Sequence, residues 1–256
     1  MSGNISGVRQ LVKRMRTLEH HFQDATAARR EEFAGGVVYS NPDLPAVWDL
    51  NFLRLDRPCP QPALEADRLQ AGLGHRKVLI EEPRLVARFG PELRDRGFGE
   101  TELIALAREP GGALDSSVRE LPFEAVRPLR RQVSAEQLTP PDPAVIDQLQ
   151  DAAALAGRAG ARWLVVFDGD QPAGHCVIYS HEGLAQVEDV AVLDAFRGRG
   201  LSRRLLEHAL ELVAGDHDMA FILAEAGDWP VAFYERLGFE RVEVRAQYLL
   251  ILAEGS

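Results

Sequence analysis

Two spacings of apolar residues run through this chain, and the points where one gives way to the other mark its elements. Val8, Leu11, Val12, Met15, Leu18 and Phe22 recur at three- and four-residue intervals, so residues 1–34 read as a helix with one buried face. His20-His21 and the run Arg29-Arg30-Glu31-Glu32 read as the solvated surface of that helix. Gly35-Gly36 ends it, and Val37-Val38-Tyr39 begins a strand. Asn41-Pro42-Asp43-Leu44-Pro45 has the composition of a turn, after which Val47 to Leu55 alternates as a half-buried strand does. A proline-rich loop, Arg57 to Pro62, leads to a short helix over Ala63 to Leu73. His75 to Glu82 is a strand, Pro83 to Arg96 a helix with proline at its start, and Glu102 to Ala107 another strand.

Gly111-Gly112 and the Ser116-Ser117 region form a loop, beyond which the pattern starts again. Pro143 to Gly157 is a helix with Val145, Ile146, Leu149 and Leu155 apolar. Arg162 to Asp168 and Ala173 to Ser180 flank the Gly169-Asp170 turn, a strong hairpin signal. Val187 to Val213 then runs from a β-branched strand through Arg197-Gly198-Arg199-Gly200-Leu201-Ser202 into a helix. Leu201, Leu205, Ala209, Leu212 and Val213 share one face of that helix.

Two glycines at a strand-to-helix junction let the backbone approach a ligand closely. The first amides of the helix have no internal acceptor and carry its positive end, which suits a phosphate. The spacing is not the dinucleotide fingerprint, because position 203 is not glycine, and it is not a P-loop, which ends in Gly-Lys-Ser/Thr. It does resemble the signature of the GNAT superfamily of acyl-CoA N-acyltransferases, Arg/Gln-x-x-Gly-x-Gly/Ala at a helix start after a strand containing Leu-x-Val. Arg197, Gly200 and Ser202 stand at the three signature positions, with Val190-Ala191-Val192 in the preceding strand. Ser202 departs from Gly/Ala but is small. Downstream, Asp228 to Phe239 is similar to the family's later helix, which ends in Tyr-x-x-x-Gly-Phe. Together the two motifs cover about residues 126–256. Glu124 to Gln132 is taken as the opening strand of the C-terminal domain, since members of this family often begin so.

The resemblance implies a fold and a chemistry. The expected fold is α/β, a GNAT-like mixed central sheet flanked by helices, with a second, degenerate GNAT-like N-terminal half. The second half of that expectation rests on an internal echo. Glu92 to Leu103 and Phe233 to Val244 share a helix end, a Gly-Phe pair and a following strand, and HRKVLIEE corresponds to DMAFILAEA. The division is placed at 1–118, a degenerate GNAT-like or helical support domain, and 119–256, the acetyltransferase domain. In the first half Asp56 to Pro62 takes the place of the phosphate loop, and prolines lack the amide hydrogens a phosphate needs. That half is therefore expected to support the other or wall a substrate, and not to bind coenzyme A.

The implied reaction is transfer of the acetyl group of acetyl-CoA to a primary amine by direct attack. Arg197, Gly198, Arg199, Gly200, Leu201 and Ser202 are expected at the pyrophosphate, and Val190 and Val192 at the pantetheine arm. Tyr234 stands where many members hold a tyrosine near the sulfur; a phenol of pKa about 10 can protonate a departing thiolate. A core tyrosine beside Phe233 and Leu237 is the plainer reading. Strand alternation puts Glu188 on the face of Val190 and Val192, making it the candidate base, with Asp189 pointing away and Glu225 a further possibility. His175 and Cys176 are neighbours on a strand and point to opposite faces, so they do not form a nucleophilic pair. No metal site is read.

Composition narrows the field further. A formal net charge of −10 argues against non-specific binding to nucleic acid or anionic membrane and tolerates a cationic small-molecule or peptide amine. Two cysteines, Cys59 and Cys176, make no metal or disulfide pattern, so a reducing cytoplasm is expected. No run reaches the 18–20 apolar residues of a membrane span, and the N-terminus lacks a secretory pattern. A homodimer is left open. The rival functions are a non-catalytic acyl-CoA-binding sensor, against which Tyr234 argues, and an inactive interaction protein, against which the intact Arg197-Gly198-Arg199-Gly200 argues.

Overall fold

The computed structural model of the protein describes residues 5–252. The first half contributes α1 (Ile5–Thr26), β1 (Arg29–Phe33), β2 (Gly36–Ser40), β3 (Phe52–Leu55), α2 (Pro62–Leu69), β4 (His75–Ile80), α3 (Pro83–Asp95) and β5 (Gly99–Arg108). The second contributes β6 (Val118–Leu121), α4 (Phe123–Gln137), α5 (Pro143–Leu155), β7 (Arg162–Asp168) and β8 (Gln171–His181). It continues with β9 (Leu184–Val192), α6 (Leu201–Val213), β10 (Met219–Glu225), α7 (Trp229–Arg236) and β11 (Glu240–Ile251). All eleven of these strands lie in one sheet, ordered β1-β2-β3-β4-β11-β5-β10-β9-β8-β7-β6.

Apart from β6, that order is its own mirror when β1 to β5 are exchanged for β7 to β11. The parallel pair β3·β4 answers β9·β10, and the antiparallel pair β4·β11 answers β10·β5. Each half thus lends its last strand to the other, and the long β5·β11 pair forms the seam, from Glu240↔Ala107 to Leu249↔Gly99. The Gly-Phe echo has a structural cause. Gly97 and Gly238 both end a helix at positive φ (87° and 86°), and the amides of Phe98 and Phe239 reach back to the carbonyls of Leu93 and Tyr234, 3.1 Å each. This is the Schellman arrangement, which favours glycine because other residues are strained there. It also aligns Tyr234 with Leu93, so the first half has no phenol at that place.

The mixed sheet is covered on both faces. On one, α6 packs Leu205, Leu206, Ala209 and Leu210 against Cys176, Ile178, Val187 and Ile222. On the other, α1 and α4 place Met15, Leu18, Val126 and Leu129 over Trp163, Val177 and Phe221. The N-terminal helix therefore packs on the C-terminal strands. No helix among the described residues is long and apolar enough to cross a membrane.

Three stretches differ from their sequence readings. Arg29 to Phe33 is not helix but the edge strand β1, where charged side chains remain solvated and discourage further pairing. Val47 to Leu55 divides into a single 3-10 turn, Trp48–Leu50, and the four-residue strand β3, all of it buried. Glu124 to Gln132 is not the opening strand. It lies in α4, whose buried residues Val126, Leu129 and Val133 follow helical spacing, and β6 precedes it.

Candidate functional site

The site is made by a strand that loses its neighbour. β9 and β10 pair in parallel at Met219↔Leu184, Ala220↔Ala185 and Phe221↔Gln186 and no further, although β9 continues to Val192. On its other edge β9 stays bonded to β8, but the register shifts so that Val177 faces Glu188 while His175 faces Ala191. The extra residue is a bulge, with Asp189 at φ 56°. Beyond it the edge of β9 facing β10 is free of strand partners, and a crevice opens at the carboxyl ends of two parallel strands, the usual place for a ligand in such sheets. The first half has no such opening. There β3 pairs with β4 through its last residue, Leu55↔Ile80, and α2 starts at Pro62, which has no amide to offer.

The turn after β9 supplies the polar end of the crevice. Gly198 and Gly200 lie at φ 76° and 75°, and a side-chain carbon added to either would meet only open space. Gly200 is the N-cap of α6 and no side chain caps the helix, so its first amides are free for an anion. A cavity of about 480 Å³ lies here, lined by Val190, Val192, Arg197, Gly198, Gly200, Leu201 and Ser202. Seven of the eight residues expected to bind the cofactor thus surround one space. The eighth, Arg199, turns away: it pairs with Asp168, donates to the Ala195 carbonyl at 3.1 Å and covers the Phe196 ring at 5.3 Å. Arg197 is held by Asp194 at 2.7 Å. The far wall, from Asp228, Trp229, Pro230 and Phe233, was not read from the sequence. The available signal was Trp229, a large aromatic at a helix start that is 69% exposed.

The bulge also redirects the carboxylates. Glu188 does not share a face with Val190 and Val192, because the inserted residue reverses the alternation. It accepts from the Gln186 amide and lines a separate cavity on the α1 side of the sheet. Asp189 turns to that side too, where Arg130 donates to it at 2.7 Å and the buried His175 lies 4.0 Å away. Burial works against ionisation of Asp189, but Arg130 and His175 outweigh it and hold its pKa below the usual value. Glu188 has no such cation. Burial first, then the charges of Glu19, Asp189 and Asp49, push its pKa up to about 8. Glu225 is exposed and lines neither cavity.

Tyr234 is 7% exposed and packs behind Phe233 against Phe239, ring centres 6.0 Å apart. Burial raises its pKa well above that of a free phenol, and Glu188, Cys176 and Asp228 raise it further, so it stays protonated. Its hydroxyl makes no hydrogen bond among the described residues. His175 and Cys176 do face opposite ways, His175 toward Trp163 and Cys176 into the α6 core. Among the described residues no three His, Cys, Asp or Glu side chains gather as a metal site would require.

Comparison with known proteins gives this geometry a context. Residues 159–241 match the family model described as the acetyltransferase (GNAT) domain, which covers the hairpin, the crevice and α7. An uncharacterized protein of Mycobacterium leprae is 34% identical over 92 residues, 36% of this chain and only 24% of that relative's length. A functionally unknown conserved protein from Staphylococcus epidermidis superposes with a TM-score of 0.71 at 14% identity, over 87% of this chain and 93% of its own. A GCN5-related N-acetyltransferase from Kribbella flavida superposes with a TM-score of 0.61 at 15% identity, over 92% and 93% of the two chains. Both superpositions run through both halves, and at such identities they establish the fold alone.

Proposed function

We propose that the protein transfers the acetyl group of acetyl-CoA to a primary amine, a reading supported by the match of residues 159–241 to the acetyltransferase (GNAT) domain. The observation that supports this most is the parting of β9 and β10 beside the uncapped, glycine-opened start of α6. The residues present fit the cosubstrate. The α6 amides and Ser202 would take the pyrophosphate, while Val190, Ala191 and Val192 offer a free strand edge and apolar side chains to the pantetheine. Bound there, acetyl-CoA supplies a thioester carbonyl.

The chain's own groups would move the protons. Glu188 accepts one from the ammonium, freeing the nitrogen lone pair to attack the thioester carbon. As the carbon–sulfur bond breaks, the protonated Tyr234 phenol donates to the departing thiolate, and the second proton, shed by the attacking nitrogen and carried through solvent, restores the phenol. The nitrogen–carbon bond forms directly, with no acyl group resting on the enzyme. Cys176, buried and with its thiol pKa raised, is not a nucleophile in this scheme. Two buried cysteines outside any disulfide fit a reducing compartment such as the cytoplasm.

Calorimetric titration with acetyl-CoA and thiol release with a panel of primary amines test the reading. Binding with amine-dependent thiol release supports it. Binding without release from any amine points to an acyl-CoA sensor, and absence of binding removes the reading altogether.

The pH dependence tests Glu188. A base with a pKa raised to about 8 is protonated below that pH, so kcat/KM should rise with pH and level off above about 8. Glu188→Gln should lower kcat by about 10²-fold and abolish this rise. A second readout separates catalysis from structure. A carboxylate whose folded pKa is raised destabilises the fold as pH climbs from its unfolded value toward 8, so wild type should lose Tm over that window relative to Glu188→Gln. Unchanged profiles in both measurements would remove Glu188 from the mechanism.

A further inference from the structure

The second cavity, about 160 Å³, lies on the α1 face of the sheet and is built by both halves. It runs from Glu188 on β9 past Leu223 on β10 and Leu103 on β5 to Leu79 on β4 and Phe52 on β3, with Phe22 of α1 above. At the usual strand spacing this path is on the order of 20 Å long, so the small volume makes it a narrow groove. Its charges are arranged unevenly. Glu19 is paired with Arg245 at 2.7 Å and Asp49 with Lys77, whereas Glu188 meets only the Gln186 amide. One end therefore holds a carboxylate without a cation, Leu223 and Leu103 follow, and the rest of the wall carries the closed ion pairs Arg245–Glu19 and Lys77–Asp49 beside Leu79 and Phe52.

We propose that this groove is the acceptor site and that it selects slender primary monoamines with an apolar body. The inference rests on the acetyltransferase reading given above. The ammonium of the acceptor lies against Glu188, on the strand that also lines the cosubstrate crevice, and its body lies along Leu223, Leu103 and Leu79. A second positive charge on the acceptor is disfavoured, because the other carboxylates of the groove, Glu19 and Asp49, are already paired with Arg245 and Lys77 and leave it no free counter-charge. A bulky polar acceptor such as an aminoglycoside is excluded by width, since pockets that enclose drug-sized ligands run to about 300 Å³ or more. Sequence spacing gives no hint of this site, because it forms only where β5 and β11 are exchanged between the halves. It also gives the first half a role, that of supplying Leu79, Phe52, Leu103 and α1 as the wall.

Three acceptors separate the features: hexylamine, 1,6-diaminohexane, which differs from it only by a second ammonium, and trialanine. Thiol release from acetyl-CoA should proceed with kcat/KM at least tenfold higher for hexylamine than for either of the others. Leu103→Trp, which fills the middle of the groove far from the glycine turn, should raise KM for hexylamine at least tenfold and leave the Kd of acetyl-CoA unchanged. Preference for the diamine or the peptide, or an unaltered KM in Leu103→Trp, overturns the proposal while leaving the acetyltransferase reading in place. If acetyl-CoA does not bind, that reading fails by itself. Direct calorimetry of hexylamine then decides the groove, supported by binding to wild type that Leu103→Trp abolishes and overturned by no binding or by equal binding to both.

Discussion

Gly200→Glu is expected to weaken acetyl-CoA binding by at least about 100-fold, the loss of several charge-assisted contacts at a helix start. The mutated residue borders the 480 Å³ cavity and immediately precedes the first free amides of α6. A glutamate there brings its carboxylate to the place where a pyrophosphate would lie, competing for the same amides and repelling the same charge. The variant should still fold. A side chain at Gly200 meets nothing within 4 Å, and a negative group at a helix N-terminus is favourable by about 0.3–1 kcal/mol. Against this stands the left-handed backbone, φ 75°, which costs a non-glycine residue about 1–2 kcal/mol. Gly200→Ala carries that strain without the carboxylate, so it should retain most of the affinity. Calorimetry on both variants, with Tm as the check on folding, reads the result. Equal affinity in wild type and Gly200→Glu means that the cosubstrate lies elsewhere.

That prediction could be framed from the sequence because the phosphate loop is local. Arg197 to Ser202 are contiguous, the helix after them has an unbroken apolar face, and every determinant of the turn lies within a few residues. The Gly-Phe repeat was legible for the same reason, since one glycine conformation and two backbone bonds produce it in each half. Glu188 was misplaced because a single inserted residue reverses all alternation beyond it, and the bulge residue, Asp189, is of a type that tolerates positive φ without advertising it. The strand expected at residues 124–132 follows from the family resemblance, whereas Val126, Leu129 and Val133 carry the helical period. The acceptor groove was beyond reach. Its walls come from stretches more than a hundred residues apart, and only the exchange of β5 and β11 brings Leu103 beside Leu223 and Arg245.

The same exchange explains the second large effect, Arg245→Met, which should destabilise the protein by about 3–5 kcal/mol, the usual cost of leaving a buried charge without its partner. Arg245 lies on β11 in the seam and is 2% exposed. It donates to Glu19 of α1 at 2.7 Å and to Glu243 at 2.6 Å, with Glu81 of β4's end at 3.7 Å. Burial opposes the charge on Arg245, but these three carboxylates outweigh it and raise its pKa. Glu243 retains Arg16 and Glu81 retains His20 when Arg245 is removed, but Glu19 is left with no cation. Burial already raises the Glu19 pKa in spite of Arg245, and without the guanidinium it must rise further. The sign of the pH dependence follows. A carboxylate whose folded pKa lies above its unfolded value adds no penalty at low pH, where it is protonated in both states, and a growing one as pH rises toward the folded value. The gap in Tm between wild type and Arg245→Met should therefore be widest at neutral and alkaline pH, roughly 10 °C for a chain of this size, and shrink as pH falls toward the ordinary glutamate range. Glu19→Gln combined with Arg245→Met removes the stranded charge and should recover on the order of half the loss. If the double variant is no more stable than Arg245→Met alone, the seam is held by packing around β5 and β11 and not by this ion cluster.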